Sequence, residues 1–226
     1  MDLRDRIDEI KKRIAEAAVR AGRPPQGVTL LAVTKTFPTE AIRSAYEAGL
    51  RDFGENRVQE ALSKIAALPP DIRWHLIGQL QTNKINKIIG KFQLVHSIDS
   101  KELALSFSSR LGPASQEILL EVNTSGEESK AGCPPGSTVE IAEKISRLAE
   151  LKLRGLMTVG PLTEETEKQR DAFKKLKDLF ESVKSKGFVG PGFDILSMGM
   201  SGDFEMAIEE GSTLVRIGSA LFGSRQ

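Results

Sequence analysis

The chain has 226 residues, 39% of them hydrophobic and 28% charged, which is an ordinary composition for a soluble protein with a sizeable core. Its 32 basic and 31 acidic residues leave a formal net charge of +1, so nothing in the charge points to nucleic acid or to an anionic membrane. One cysteine, Cys133, excludes an intramolecular disulfide, and two histidines far apart in sequence, His75 and His96, give no expectation of a metal site.

The amino terminus, Met1-Asp2-Leu3-Arg4-Asp5, carries charge where a signal peptide needs an apolar core, and no apolar run approaches the ~20 residues of a membrane span. A cytoplasmic location is expected. Leu3, Ile7, Ile10, Ile14 and Ala17 then recur at steps of four and three with Gly22 beyond, the pattern of an amphipathic helix with a glycine stop. The next segment, 28–33, is short and almost continuously apolar, as in a strand buried on both faces of a parallel sheet.

From there the two patterns alternate. Helices are expected near 38–48, 56–67, 80–91, 100–110, 136–149, 164–187 and 202–210. Strands are expected near 52–54, 73–77, 93–98, 116–122, 153–159, 193–198 and 213–217. With the first strand that makes eight βα units and no polar linker, which predicts one domain over 1–226 and a closed (β/α)8 barrel of the TIM type. The last strand is followed by too few residues for its own helix, so the amino-terminal helix is expected to fill that place. Barrels of this kind put their chemistry at the carboxyl ends of the strands, with phosphate often bound after strands seven and eight.

Several residues stand at those ends. Lys35 follows the first run, before Pro38 opens a helix; it is either a solvent-reaching lysine or an amine made easier to deprotonate by apolar neighbours. Arg216 alternates with Val215 and Ile217 inside the last run, and a buried arginine needs either a structural ion pair or a bound ligand. Ser201, Gly218 and Ser219 lie in glycine-containing segments after the seventh and eighth strands, where backbone amides suit an anion; plain turns, or Ser201 capping the next helix, are the alternatives. Asn56 either donates to a ligand or caps the helix that starts beside it. His75, among Trp74, Leu76 and Ile77, reads as a core histidine, and Cys133, in a Gly-Cys-Pro-Pro loop, as an incidental thiol.

Six stretches taken together resemble the pyridoxal 5′-phosphate (PLP) homeostasis protein family, which is alanine racemase N-terminal-domain-like. They are Leu-Ala-Val-Thr-Lys-Thr (31–36), Phe-Gly-Glu-Asn-Arg-Val-Gln-Glu (53–60), Trp-His-Leu-Ile-Gly-Gln-Leu-Gln-Thr-Asn-Lys (74–84), Leu-Arg-Gly-Leu-Met-Thr (153–158), Leu-Ser-Met-Gly-Met-Ser-Gly-Asp (196–203) and Val-Arg-Ile-Gly-Ser-Ala-Leu-Phe-Gly (215–223). The resemblance implies a PLP fold type III barrel with the cofactor held as a Schiff base on Lys35. It places Ser201, Gly218 and Ser219 around the phosphate, Arg216 against the pyridine nitrogen and Asn56 near the ring. Gln79 departs from relatives that have histidine or proline there, outside the cofactor set.

An arginine at the pyridine nitrogen opposes its protonation and weakens the ring as an electron sink. The racemases that the chain resembles add a second domain with a tyrosine base, whereas this chain stops after the eighth strand and has a single tyrosine, Tyr46, in mid-helix. The expectation is therefore a monomeric, non-catalytic PLP carrier acting in vitamin B6 and amino acid homeostasis, with PLP-dependent apo-enzymes as possible recipients and no metal. A weak PLP-dependent racemase or lyase, and a barrel enzyme forming a Schiff base with a phosphorylated metabolite, are the competing readings.

Overall fold

A computed structural model describes residues 2–127 and 129–223. Helix α1 (Leu3–Arg20) starts on a reciprocal cap. Asp2 accepts from the Asp5 N–H at 2.8 Å and Asp5 accepts from the Asp2 N–H at 3.1 Å, which satisfies two donors that a helix start leaves unpaired. After α1 the chain alternates β1 (Thr29–Val33), α2 (Thr39–Glu47), β2 (Asp52–Glu55), α3 (Val58–Ala67), β3 (Arg73–Leu76), α4 (Ile85–Ile88), β4 (Leu94–Ile98), α5 (Lys101–Leu111) and β5 (Gln116–Glu121). It continues with α6 (Thr138–Ser146), β6 (Leu151–Met157), α7 (Thr166–Ser185), β7 (Ile195–Met200), α8 (Phe204–Glu209), β8 (Leu214–Ile217) and α9 (Ser219–Phe222).

Among the described residues the eight strands form one closed barrel in sequence order, each parallel to the next, with β8 returning to β1. This is the TIM-type architecture expected from the alternation. The seal between first and last strands is made in register, with Leu31 opposite Arg216 and Ala32 opposite Ile217. The buried face of α1 (Ile7, Ile10, Ile14, Ala17) covers that seam, packed on α8 and α9. Arg13 makes two hydrogen bonds to Glu205, at 3.0 and 2.8 Å, and Arg6 donates to the Leu221 carbonyl. The amino-terminal helix thus stands where the eighth helix of the repeat belongs.

Two expectations need correction. The segment expected as a helix over 80–91 contains only a 3-10 turn at Thr82–Lys84 and the single turn of α4. Ile85 and Ile88 are its buried helical residues, and Gly90, with φ +69°, closes the turn. A short helix, α9, also follows β8, where none was expected. Among the described residues no helix is long and apolar enough to cross a membrane.

Most of the core lies between the barrel wall and the helices, and a separate group of Leu31, Leu94, Leu119, Met157 and Leu214 fills the barrel interior. In a strand, residues two apart share a face. One pleat step beyond four interior positions the side chains are polar: Leu94 leads to His96, Leu119 to Glu121, Ile195 to Ser197 and Leu214 to Arg216, all four polar residues buried. An apolar plug therefore floors a polar layer that faces the carboxyl-terminal mouth.

Candidate cofactor site

Register brings the predicted residues to one end of the barrel. Val33 pairs with Gly54 and Ala32 with Ile217, so Lys35, Asn56 and the Gly218–Ser219 pair leave three adjacent strands at the same mouth. Ser201 leaves β7 beside them. Lys35 is half-buried in a turn closed by the Phe37 N–H on the Thr34 carbonyl at 3.0 Å. Thr36, next to it, has φ +69°, an uncommon and strained conformation for a β-branched residue.

What holds that turn is a buried ionic cluster on the outer side of β2. Lys64, on α3, is 5% exposed and donates to Glu55 at 2.7 Å, Glu60 at 2.6 Å and the Thr34 carbonyl at 2.8 Å. Glu55 also accepts from the Thr34 hydroxyl at 2.6 Å, and Glu60 accepts from the Thr36 N–H at 2.6 Å. Burial raises the Glu55 carboxyl above the ordinary glutamate range, against the opposing pull of Lys64 and Thr34. Burial also pulls Glu60 up, but Lys64 and the Thr36 amide outweigh it and hold the group low. Both residues on either side of Lys35 are thus clamped by a cluster that sequence reading had not assigned. Its signals were a glutamate ending an apolar strand and a Glu60–Lys64 pair at i,i+4.

Asn56 does not cap α3: Arg57 is the N-cap, without a side-chain cap bond. The Asn56 backbone instead lies against Gly78, where an added Cβ would sit 2.2 Å from the Asn56 carbonyl oxygen. Ser201 does not cap α8 either, since Asp203 occupies that position. Its Oγ accepts from the Gly218 and Ala220 N–H groups, each at 3.3 Å, and so ties the two glycine-containing segments together. Behind it, Gly199 has φ +92°, and a Cβ there would fall 2.6 Å from the Ala207 Cβ; only glycine lets β7 turn into α8 at this spacing.

Arg216 is 5% exposed and lies inside the barrel, on the face opposite Val215 and Ile217. Nη1 donates to the Ser197 carbonyl and hydroxyl, both at 2.8 Å, and Nη2 donates to the Thr158 carbonyl at 2.7 Å. These bonds take three of the five guanidinium N–H groups and leave two for a ligand. No carboxylate is bonded to it among the described residues; Glu121 and Asp203 act at longer range against burial, which lowers the guanidinium to about 10 and leaves it cationic at neutral pH. Glu121, from the same polar layer, is pushed up to about 7 by burial, with Arg216 pulling it down and Asp99 raising it. It too escaped the sequence reading.

Cys133 is buried beside Val122, and burial pushes its thiol up to about 11, which fits a spectator rather than a nucleophile. His75 and His96, distant in sequence, sit 3.0 Å apart. Tyr46 donates to Asp71 at 2.7 Å, in the loop that leads into β3 at the opposite end of the barrel. A groove of about 670 Å³ lies at that end too, between Pro69, Arg73, Trp74 and Gln116, and holds none of the predicted site residues.

The alanine racemase, N-terminal domain family matches residues 6–226. A pyridoxal phosphate homeostasis protein of Pseudomonas aeruginosa is 47% identical over 224 residues, covering 98% of this chain and 95% of its own. PipY of Synechococcus elongatus PCC7942, solved with PLP bound, superposes with a TM-score of 0.79 at 37% identity, covering 93% of this chain and 100% of its own. An alanine racemase of Clostridium difficile 630 shares the fold at TM-score 0.78 and 16% identity, over 98% of this chain and 56% of the racemase. With a family match over nearly its whole length and relatives of this closeness, the chain belongs to the alanine racemase N-terminal domain family and, within it, to the pyridoxal phosphate homeostasis proteins.

Proposed function

We propose that this chain binds PLP at the carboxyl-terminal mouth of its barrel, with Lys35 as the covalent anchor, and serves PLP and amino acid homeostasis rather than amino acid turnover. The observation that carries this is the convergence of Ser201 Oγ with the Gly218 and Ala220 N–H groups, beside the Lys35 turn and above a buried arginine with two donors to give. Those groups fit the cofactor. Backbone and hydroxyl donors suit a phosphate dianion, an amine suits an aldehyde, and a fixed cation suits a pyridine nitrogen. PipY, with PLP in its structure, and the name borne by the Pseudomonas relative support the same reading.

When bound, the cofactor supplies an aldehyde able to form a Schiff base and a ring able to withdraw electrons. The protein does the rest. Ser201, Gly218 and Ser219 would hold the phosphate and Asn56 would lie near the ring, while the Glu55–Glu60–Lys64 cluster fixes the turn that presents Lys35. Arg216, cationic and buried, would oppose protonation of a pyridine nitrogen placed against it and so weaken the ring's electron withdrawal. Tyr46, the chain's single tyrosine, is bonded at the far end of the barrel, away from any substrate held at this mouth. Both features favour a carrier, acting as one cytoplasmic barrel domain with PLP-dependent apo-enzymes as recipients, over a weak racemase.

Borohydride reduction of the PLP-loaded protein, followed by peptide mapping, should place the pyridoxyl group on Lys35, and Lys35→Ala should abolish the adduct. An adduct on another lysine would reject the assignment. Incubation with L-alanine in deuterated water decides between carrier and racemase: exchange of the α-hydrogen should not exceed that given by free PLP. Robust exchange that depends on Lys35 would make the protein an enzyme.

A further inference from the structure

Behind Arg216 a chain of buried polar side chains crosses the barrel. The Ser197 hydroxyl on β7 accepts from Arg216 at 2.8 Å and meets His96 Nδ1 on β4 at 3.1 Å. His96 Nε2 meets His75 Nδ1 on β3 at 3.0 Å, and His75 Nε2 meets Asp52 Oδ1 on β2 at 3.3 Å. Asp52 also takes two hydrogen bonds from Arg73, at 2.7 and 2.5 Å, and both residues line an open groove at the opposite mouth.

With one proton on each ring, the end groups dictate the direction of every bond. Arg216 can only donate, so Ser197 Oγ accepts from it; with His96 Nδ1 unprotonated, the hydroxyl gives its own proton there. His96 therefore carries its proton on Nε2 and donates it to His75 Nδ1. His75 in turn carries its proton on Nε2 and donates it to Asp52, which as a carboxylate can only accept. All the donors then point from Arg216 toward Asp52, each ring holding its single proton on Nε2. Burial above all, and the charge of Arg216, push His96 well below its ordinary range, which keeps it in that neutral form. Because arginine keeps its protons, the chain cannot conduct one to the mouth; its role is geometric.

We propose that His96 and His75 are positioning residues for Arg216, acting through the Ser197 hydroxyl as one directed hydrogen-bond chain anchored on Asp52. Held by three bonds in this way, the guanidinium presents its two remaining donors to the mouth in a fixed orientation. What those donors contact rests on the PLP reading above; the tautomers and the anchoring of Arg216 do not.

The two parts are tested separately. These are the chain's only histidines, so nitrogen-15 NMR of the cofactor-free protein at neutral pH reads the chain directly: both rings should be neutral with the proton on Nε2. An Nδ1–H tautomer or an imidazolium at either ring overturns the proposal. Binding of PLP, followed by absorbance, should weaken about tenfold in His96→Leu and stay within about threefold of the parent in His96→Asn, whose amide oxygen can still accept from Ser197. Equal affinities for Leu, Asn and parent, in variants shown to be folded by thermal melts, also overturn it. If the parent binds no PLP at all, the cofactor reading fails, and NMR still decides the chain.

Discussion

Two buried polar assemblies hold the two ends of the candidate site, and they do so by opposite means. The Lys64–Glu55–Glu60 cluster, outside β2, fixes the Lys35 turn with full charges in contact at 2.6 to 2.7 Å. The Ser197–His96–His75 chain, inside the barrel, fixes Arg216 with neutral groups and leaves its charge at the two ends. The difference follows from what each must deliver. A turn strained at Thr36 needs strong, short-range anchors on both flanking residues. An arginine meant to face a ligand must keep its field, and a carboxylate bonded directly behind it would neutralise that field.

The ionic cluster is also the more vulnerable of the two. Removing one member of a buried ion pair leaves an uncompensated charge, at a cost of about 3–5 kcal/mol. Lys64→Met should therefore cause the largest loss: the Glu55 side chain is fully buried, and its Oε2 has no hydrogen-bond partner to fall back on. Protonation of Glu55, whose carboxyl is already raised by burial, keeps the loss near the lower figure. Urea denaturation at neutral pH measures it. A loss below about 1 kcal/mol would mean that the cluster is no more than a solvated pair, and the contrast with the neutral chain would collapse.

How much of this was legible differs between the two assemblies. Strand order and the mouth at which Lys35, Ser201 and Gly218 gather follow from alternation and the barrel rule, because a parallel sheet forces every strand to end on the same side. Period two separates Arg216 from Val215 and Ile217, but with both faces of β8 buried it does not say which one is the interior. The polar layer was present in the sequence as Leu94-x-His96, Leu119-x-Glu121, Ile195-x-Ser197 and Leu214-x-Arg216, an apolar residue followed two places later by a polar one. No local pattern, however, says that β3 and β4 pair in the register that sets His75 opposite Leu94 and lets its ring reach His96. The segment at 80–91 was misread for a related reason: Ile85 and Ile88 supply one apolar turn, too short a span for a period to be counted. Capping stood as the alternative for Asn56 and Ser201 because residues of that type often precede a helix; contacts with Gly78 and across to Gly218 rule it out.

The charged end of the neutral chain offers the next test. Asp52 is subject to burial, which raises it, but hydrogen bonds from Arg73 and His75 prevail and hold it at about 2 against an ordinary 3.8. A carboxyl lowered in the folded state lends stability that is complete above the unfolded value and is lost as pH falls through the folded one. Its contribution at neutral pH is at most about 2 kcal/mol, discounted for partial exposure, and it should fade between about pH 4 and pH 2. Asp52→Asn keeps an acceptor for His75 and removes the titration. The stability gap between parent and variant should therefore shrink across that interval, and a gap independent of pH would show that the anchor is not ionised.

The smallest effect belongs to a pair that is charged but only half-buried. Arg13 and Glu205 join α1 to α8 through two hydrogen bonds, and the Arg13 guanidinium also lies 4.8 Å from the Phe204 ring centroid. Its geometry is as good as that of the Lys64 cluster, yet both side chains are 36% exposed. Water therefore solvates each charge whether or not the pair forms, and added salt screens what attraction remains. A double-mutant cycle on Arg13→Ala and Glu205→Ala should give a coupling of about 0.2–1 kcal/mol that declines with ionic strength. The Lys64–Glu55 coupling should change little over the same salt range, because no counter-ion reaches it. A surface coupling as large and as salt-insensitive as the buried one would mean that contact geometry, and not desolvation, sets the strength of both.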